Sequence, residues 1–398
     1  MAEQKEFDQA PRNWVTTIMF SATFLVAVTA VPLYGFLVGY DWVEISAFFI
    51  LLLLSGFSIT AGYHRLWSHK TYNAHPIVKL FFAFWGAAAV QNSILVWSSG
   101  HRRHHRHIDN NEQDPYSIKR GFWFAHIGWM LKDYPSSIED FSNAKDLQRD
   151  PIVMHQHKYY LGWVLTSAVA VPLLLGYLNG NILGMALLAG VLRLVVNHHF
   201  TFFINSLAHM WGRQPYTDTN SAKDNDFLAL LTYGEGYHNF HHYFQNDYRN
   251  GVLWWQFDPT KWLINLLAWM KLASNLRRVP SFKIQEALVK MQFERANKQL
   301  VNSSVSNVDV WRETLEKEYQ QFLKTLAEWK SLRGEWYQGK RDAFNHTLNE
   351  WSEKRQEIQA KWQIIAISTR FKEMEYVLKM QQKRLQLFNM NFQSVLAS

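Results

Sequence analysis

Four long apolar runs, grouped as two close pairs, restrict the fold of this chain more than any other feature. They extend from about Val15 to Val38, Val43 to Ala61, Tyr160 to Leu178 and Ile182 to Ile204. Each is long enough to cross a bilayer core of roughly 30 Å as a helix, and a helix satisfies its own backbone hydrogen bonds in lipid. The short connections at Gly39-Tyr40-Asp41 and Asn179-Gly180-Asn181 turn each pair into a hairpin. Glu44 and Arg193 are the main charges within the runs, too few to line an ion path, which argues against a transporter or metal sensor. The polar opening MAEQKEFDQAPRNW is unlike a secretory signal, so both termini are expected in the cytoplasm.

Three histidine clusters fall between and after these hairpins. HRRHH carries His101, His104 and His105, HRLWSH carries His64 and His69, and HNFHH carries His238, His241 and His242. On a helix, residues three and four apart share a face, so His101, His104 and His105 are expected to converge on one point. A lone HRRHH could equally be a basic patch. Its recurrence, together with Asn205 and His209 in NSLAH, points to metal, and nine imidazoles exceed what one ion can use, so two metals are expected. The apolar stretch from Ile77 to Trp97 would put HRLWSH and HRRHH on opposite sides of a membrane if it crossed. We therefore expect an interfacial or re-entrant helix there, which Lys79, Gln91 and Asn92 favour.

The chain has no cysteine, which excludes disulfides, Cys-ligated zinc and protein-bound iron–sulfur clusters. Its net charge of +8 suits an anionic membrane surface or a phosphate-bearing ligand, and beside long apolar runs no nucleic-acid partner is expected. Lys261 to Leu276 is amphipathic. Past Pro280 the composition changes to Lys, Glu, Gln and Trp. Leu315, Tyr319, Phe322, Leu326, Trp329 and Trp336 keep a three-four spacing that Phe344, Leu348, Trp351, Ile358, Trp362 and Ile365 resume. The expected organisation is an all-α integral membrane domain over 1–280 with a cytoplasmic helical cap holding the dimetal site. A helical or coiled-coil extension follows over 281–398, packing on itself or on a second copy in a homo-oligomer.

In this order and spacing, HRLWSH, HRRHH, NSLAH and GEGYHNFHH resemble the membrane fatty acyl-CoA (stearoyl-CoA, Δ9) desaturase family, bacterial type, over about Ala61 to Phe257. The resemblance implies two iron ions that use O2 and two electrons to place a cis double bond in a saturated acyl chain. It implies His64, His69, His101, His104, His105, His209, His238, His241 and His242 as ligands, with Asn205 reaching a metal through water. Gln91, Trp97 and Thr201 would shape the bend of the acyl tunnel and Trp129 would lie near the substrate. Phe48 and Leu52 would close the tunnel's far end. Asp114 and Glu235 are candidates to hold the far nitrogen of a ligating imidazole, and His198 and His199 are expected to hydrogen bond rather than ligate. His75, His126, His155 and His157 are expected to be peripheral.

Ser99 and Gly100 stand where the animal acyl-CoA enzymes have an Arg-Asp pair that contacts the CoA headgroup, while Lys119, Arg120 and Lys132 remain nearby. Acyl-CoA is the expected substrate, with lipid-bound acyl chains as the alternative. A membrane di-iron hydroxylase or alkane monooxygenase would use a similar histidine set. No haem module or Gly-rich dinucleotide fingerprint stands out, so a separate ferredoxin or cytochrome with its reductase is expected. The expected location is a bacterial inner membrane.

Overall fold

The computed structural model describes residues 9–301, 308–349, 372–374, 376–384, 386–387 and 390. The chain divides into two compact units, Met1–Gln214 with Asp218–Arg278, and Pro215–Thr217 with Val279–Ser398.

In the first unit, four helices are long and apolar enough to cross a membrane: Trp14–Leu37, Trp42–Ser68, Tyr160–Asn179 and Ile182–Met210. They turn large apolar side chains outward, with Phe36 87% and Val15 82% exposed, as lipid-facing helices do. The chain is thus a mostly helical, multi-pass membrane protein. Each hairpin is fixed by its turn. Asp41 Oδ1 accepts from Glu44 N at 2.8 Å while Glu44 Oε2 accepts from Asp41 N at 2.9 Å, a capping box that starts the second span. Asn181 Oδ1 starts the fourth span by accepting from Gly184 N at 3.0 Å, and also accepts from Tyr34 Oη at 2.9 Å. Asn179 Nδ2 donates to Asp41 Oδ2 at 2.8 Å, so the two turns are tied to each other.

The second and fourth spans run past their apolar runs and carry His64 and His209 with them. The last eleven residues of the second span, Ser58–Ser68, wind as a π-helix. This is what aligns His64 with His69. Five residues along an α-helix lie about 140° apart around the axis, but here His69 N donates to His64 O at 3.1 Å, an i→i+5 closure that stacks one over the other.

The stretch from Ile77 to Trp97, expected as one interfacial or re-entrant helix, is broken into two helical pieces. A 12-residue helix, Pro76–Ala87, ends in a tight irregular turn, and a new helix, Ile94–His107, begins at Ser93, whose Oγ accepts from Val96 N at 3.3 Å. Val90 and Asn92 sit in the left-handed region at φ 52° and 73°, which no helix continues through. The first piece spans about 18 Å, too short to cross a bilayer. Around these helices a buried core gathers Tyr63, Trp67, Tyr72, Phe82, Ile94 and Tyr248, and the helix Pro259–Trp269 contributes Ile264. A two-residue antiparallel pairing, Asn73–Ala74 with Ala273–Ser274, closes this region.

The second unit contains the helices Ser281–Val301 and Val308–Asn349. Phe282, Val289 and Ala296 recur at a seven-residue interval and are buried with Leu315, Phe322, Leu326 and Trp329. Tyr319 stacks on Phe293 at 4.0 Å. The three-four seam over 315–329 therefore packs against a helix of the same chain. Trp336, Phe344 and Leu348 lie on the long helix. Trp351, Ile358, Trp362 and Ile365 lie outside the described residues.

Candidate metal centre

The nine box histidines come together as two groups. His64, His69, His101, His105 and His241 form one, and His104, His209, His238 and His242 the other, with the nitrogens of each group within 4.8 Å of one another. The expectation that His101, His104 and His105 meet at one point is corrected by this division. In HRRHH the i,i+4 pair His101 and His105 serves the first group while His104 crosses to the second. In HNFHH the pair His238 and His242 serves the second while His241 crosses to the first. On an α-helix the residues three and four along lie about 100° apart around the axis, far enough for two facing helices to exchange one ligand each.

The Nε2 atoms face inward. They lie 3.0 Å apart between His64 and His241 and between His105 and His241, and 2.8 Å apart between His69 and His101. In the second group the separations are 3.0 Å for His209 to His238 and for His238 to His242, and 3.3 Å for His104 to His242.

The outward nitrogens of three rings, one in the first group and two in the second, face acceptors. His64 Nδ1 lies 2.8 Å from Glu235 Oε2, and His104 Nδ1 lies 2.8 Å from Asp114 Oδ1. His209 Nδ1 lies 2.7 Å from Ser221 Oγ, whose hydroxyl donates to Asp109 Oδ1. Asp114 and Ser221 accept the Nδ1 protons of His104 and His209, and Glu235 faces Nδ1 of His64, which leaves Nε2 on these three rings as a bare lone pair. Lone pairs at such distances repel unless a cation sits between them. A separation near 3.0 Å is also what two adjacent ligands show when each is about 2.1 Å from one ion. Burial, reinforced by the neighbouring imidazoles, holds His69, His101, His105, His238, His241 and His242 well below the usual imidazole pKa, which is the neutral, ligating form. The residues present fit a pair of metal ions.

Asp114 and Glu235 thus stand where the sequence suggested. Sequence reasoning missed Ser221, Asp109, Tyr116, whose hydroxyl is 3.3 Å from His101 Nδ1, and the Arg65 clasp. Arg65 donates from Nε and Nη2 to Glu235 Oε1 at 3.0 and 2.8 Å, and its guanidinium also reaches both oxygens of Asp258. Burial alone would raise the Glu235 pKa, but Arg65 outweighs it and holds the carboxyl low. Gly234, at φ +98°, and Gly236, whose missing side chain lets Asn225 and Ala229 approach, allow the chain to bring Glu235 into this clasp. The signal for Arg65 was its place inside HRLWSH, between two ligands.

A cavity of about 630 Å³ opens beside the first group, where His64 and His101 form part of its wall. Gln91, Trp97, Trp129, Thr201 and Asn205 also line it. Gln91 Nε2 donates to Thr201 Oγ1 at 2.9 Å, and Trp97 stacks on His101 at 5.0 Å. Phe48 and Leu52 are not brought to this cavity. Phe48 packs among Ala47, Leu51 and Met185, and Leu52 is buried with its carbonyl accepting from Tyr233 Oη. Lys132, Ser99 and Gly100 also line the cavity, while Arg120 stacks over Phe124. His198 and His199 lie outside both groups: His198 Nε2 meets Ala89 O, and His199 pairs with His126, which also meets Ser206. His75 caps a helix, His155 accepts from Trp163, and His157 meets Ser93.

Residues 42–269 match the model of the family described as fatty acid desaturase. The chain belongs to the fatty acid desaturase family. It is 47% identical over 239 residues to a probable acyl-CoA desaturase of Schizosaccharomyces pombe, covering 60% of this chain and 50% of that one. It is 42% identical over 246 residues to acyl-CoA desaturase 1 of Saccharomyces cerevisiae, covering 62% and 48%. With stearoyl-CoA desaturase 5 of Homo sapiens it shares 37% identity over 235 residues, covering 58% and 71%. The chain thus spans about half the length of these two fungal relatives. The bacterial type expected from the sequence is not borne out, since these relatives are eukaryotic. All nine histidines of this family member lie within the matched region, and its C-terminal unit beyond Val279 does not.

Proposed function

We propose that this desaturase removes two hydrogens from a saturated acyl-CoA to form a cis double bond at the Δ9 position, using O2 and two electrons. The observation that carries this reading is the opening of the five-histidine group, through His64 and His101, onto a cavity walled by Trp97, Gln91 and Thr201. Iron fits better than zinc, because five imidazoles exceed a tetrahedral set and zinc has no redox chemistry. Two iron ions, one held by each histidine group, would supply the redox chemistry that couples O2 and two electrons to hydrogen removal from adjacent methylenes.

The chain's own residues do the rest. Glu235, Asp114 and Ser221 hold the ligating rings in one orientation and one tautomer. Trp97, Trp129 and Phe202 exclude water from an acyl chain lying along the cavity. The Gln91–Thr201 hydrogen bond closes two polar groups on each other, so neither demands solvent inside an apolar passage. Lys132 and Arg103, in the cavity lining, suit the phosphates of CoA. Asn205 reaches a metal through water. Electrons come from a separate ferredoxin or cytochrome with its reductase. The reading puts both termini and all four histidine boxes on the cytoplasmic side.

The test is expression in a host lacking its own Δ9 desaturase, with gas chromatography and mass spectrometry of the fatty acids. Loss of two hydrogens at one position supports the proposal, while gain of an oxygen identifies a hydroxylase. Purified enzyme offered stearoyl-CoA and the same chain in phospholipid decides the carrier, and conversion of phospholipid alone refutes acyl-CoA.

A further inference from the structure

The irregular turn between the helices Pro76–Ala87 and Ile94–His107 is held from the fourth span. Arg193 Nη1 donates to Ala88 O at 2.6 Å, and His198 Nε2 lies 2.8 Å from Ala89 O. Both side chains are buried, and Arg193 is braced by a second bond from Nε to Ala189 O at 3.2 Å. The turn they hold is strained: a β-branched residue, Val90, sits at φ 52° and Asn92 at φ 73°. Such conformations persist only where the surroundings over-determine them. Between these two residues Gln91 is presented to Thr201, which shares a helix face with His198. Val90, Gln91, Asn92, His198 and Thr201 all line the cavity.

We infer that Arg193 and His198 are positioning residues that hold the strained Val90–Asn92 turn against the cavity, and thereby set which bond of the acyl chain is desaturated. The inference rests on the desaturase reading. Successive methylenes are chemically alike, so only the shape of the wall distinguishes one from the next. A wall segment that relaxes lets the chain slide past the histidine groups. His198 packs edge-on to Phe20 at 5.3 Å and stacks with Phe202 at 5.5 Å, so an apolar replacement keeps the packing and removes only the donor.

The experiment compares His198→Leu and His198→Gln with the unchanged protein by two measurements. One is hydrogen–deuterium exchange of residues 88–93 in metal-free protein, and the other is the double-bond position of the product. His198→Leu is expected to exchange several-fold faster in that segment and to yield additional positional isomers at unchanged metal content. His198→Gln, which keeps an N–H toward Ala89 O, is expected to restore both. His198→Met replaces the leucine variant if that protein does not accumulate. Unchanged exchange or a single unchanged double-bond position in the apolar variant overturns the inference, as does failure of His198→Gln to restore either. Absence of any double bond with the unchanged protein overturns the desaturase reading instead, and the exchange measurement still judges the clamp.

Discussion

The rings of His105 and His242 stack face to face, 4.1 Å between centroids with 12° between their planes, although each belongs to a different histidine group. The two groups therefore share a wall of imidazole, and neither can shift without moving the other. Each HxxHH box feeds both groups, so both helices must be in place before either group is complete.

This exchange makes single replacements informative. His104 is the one histidine of HRRHH that serves the four-histidine group, so His104→Ala removes a ligand there and none from the five-histidine group. The expected result is loss of one of two bound metals and of activity, with the protein still in the membrane. Metal analysis by mass spectrometry checks it, and a fully active His104→Ala protein would sink the two-group assignment.

The carboxylates behind the rings should matter without touching the metals. Asp114→Asn removes the acceptor charge 2.8 Å from His104 Nδ1. Such changes weaken metal binding by about 10–100-fold. Metal retention against a graded chelator measures this, and retention equal to the unchanged protein would make Asp114 a packing residue.

The neutral histidines dictate a pH dependence for the metal-free protein. His69, His101, His105, His238, His241 and His242 are all held below the ordinary imidazole pKa in the fold. Below about pH 6.5 the unfolded chain takes up protons that the folded chain refuses, so stability falls as pH falls and is level above that value. The thermal midpoint in detergent, followed from about pH 8 to about pH 5, should drop across the lower half of that range. A flat profile would contradict neutral rings in the fold.

The C-terminal unit is expected to be dispensable for metal binding, because among the described residues no member of either group lies beyond His242. Truncation after Pro280 should leave two metals bound per chain while lowering yield or stability. Loss of metal on truncation would show that the extension helps build the centre.

The sequence by itself determined the four spans, since a span is a local matter of run length and composition, and the apolar runs fall on the four helices observed, with Val38 alone one residue past its helix. It also determined which histidines assemble, because nine imidazoles in four short motifs leave few other uses. Only the tertiary structure decided how they divide. Spacings of three and four say that side chains share a helix face, but not which of two facing centres each one reaches, and His104 and His241 cross over because two boxes face each other. The i+5 spacing of His64 and His69 reads as divergent on an α-helix, and a π-helix makes it convergent. Likewise, hydropathy over Ile77 to Trp97 averages across a break that is set by Arg193 and His198 from a span about a hundred residues away. Local pattern carries burial and period. Partition of ligands, helix winding and the hold on a strained turn depend on what lies opposite, which no local window contains.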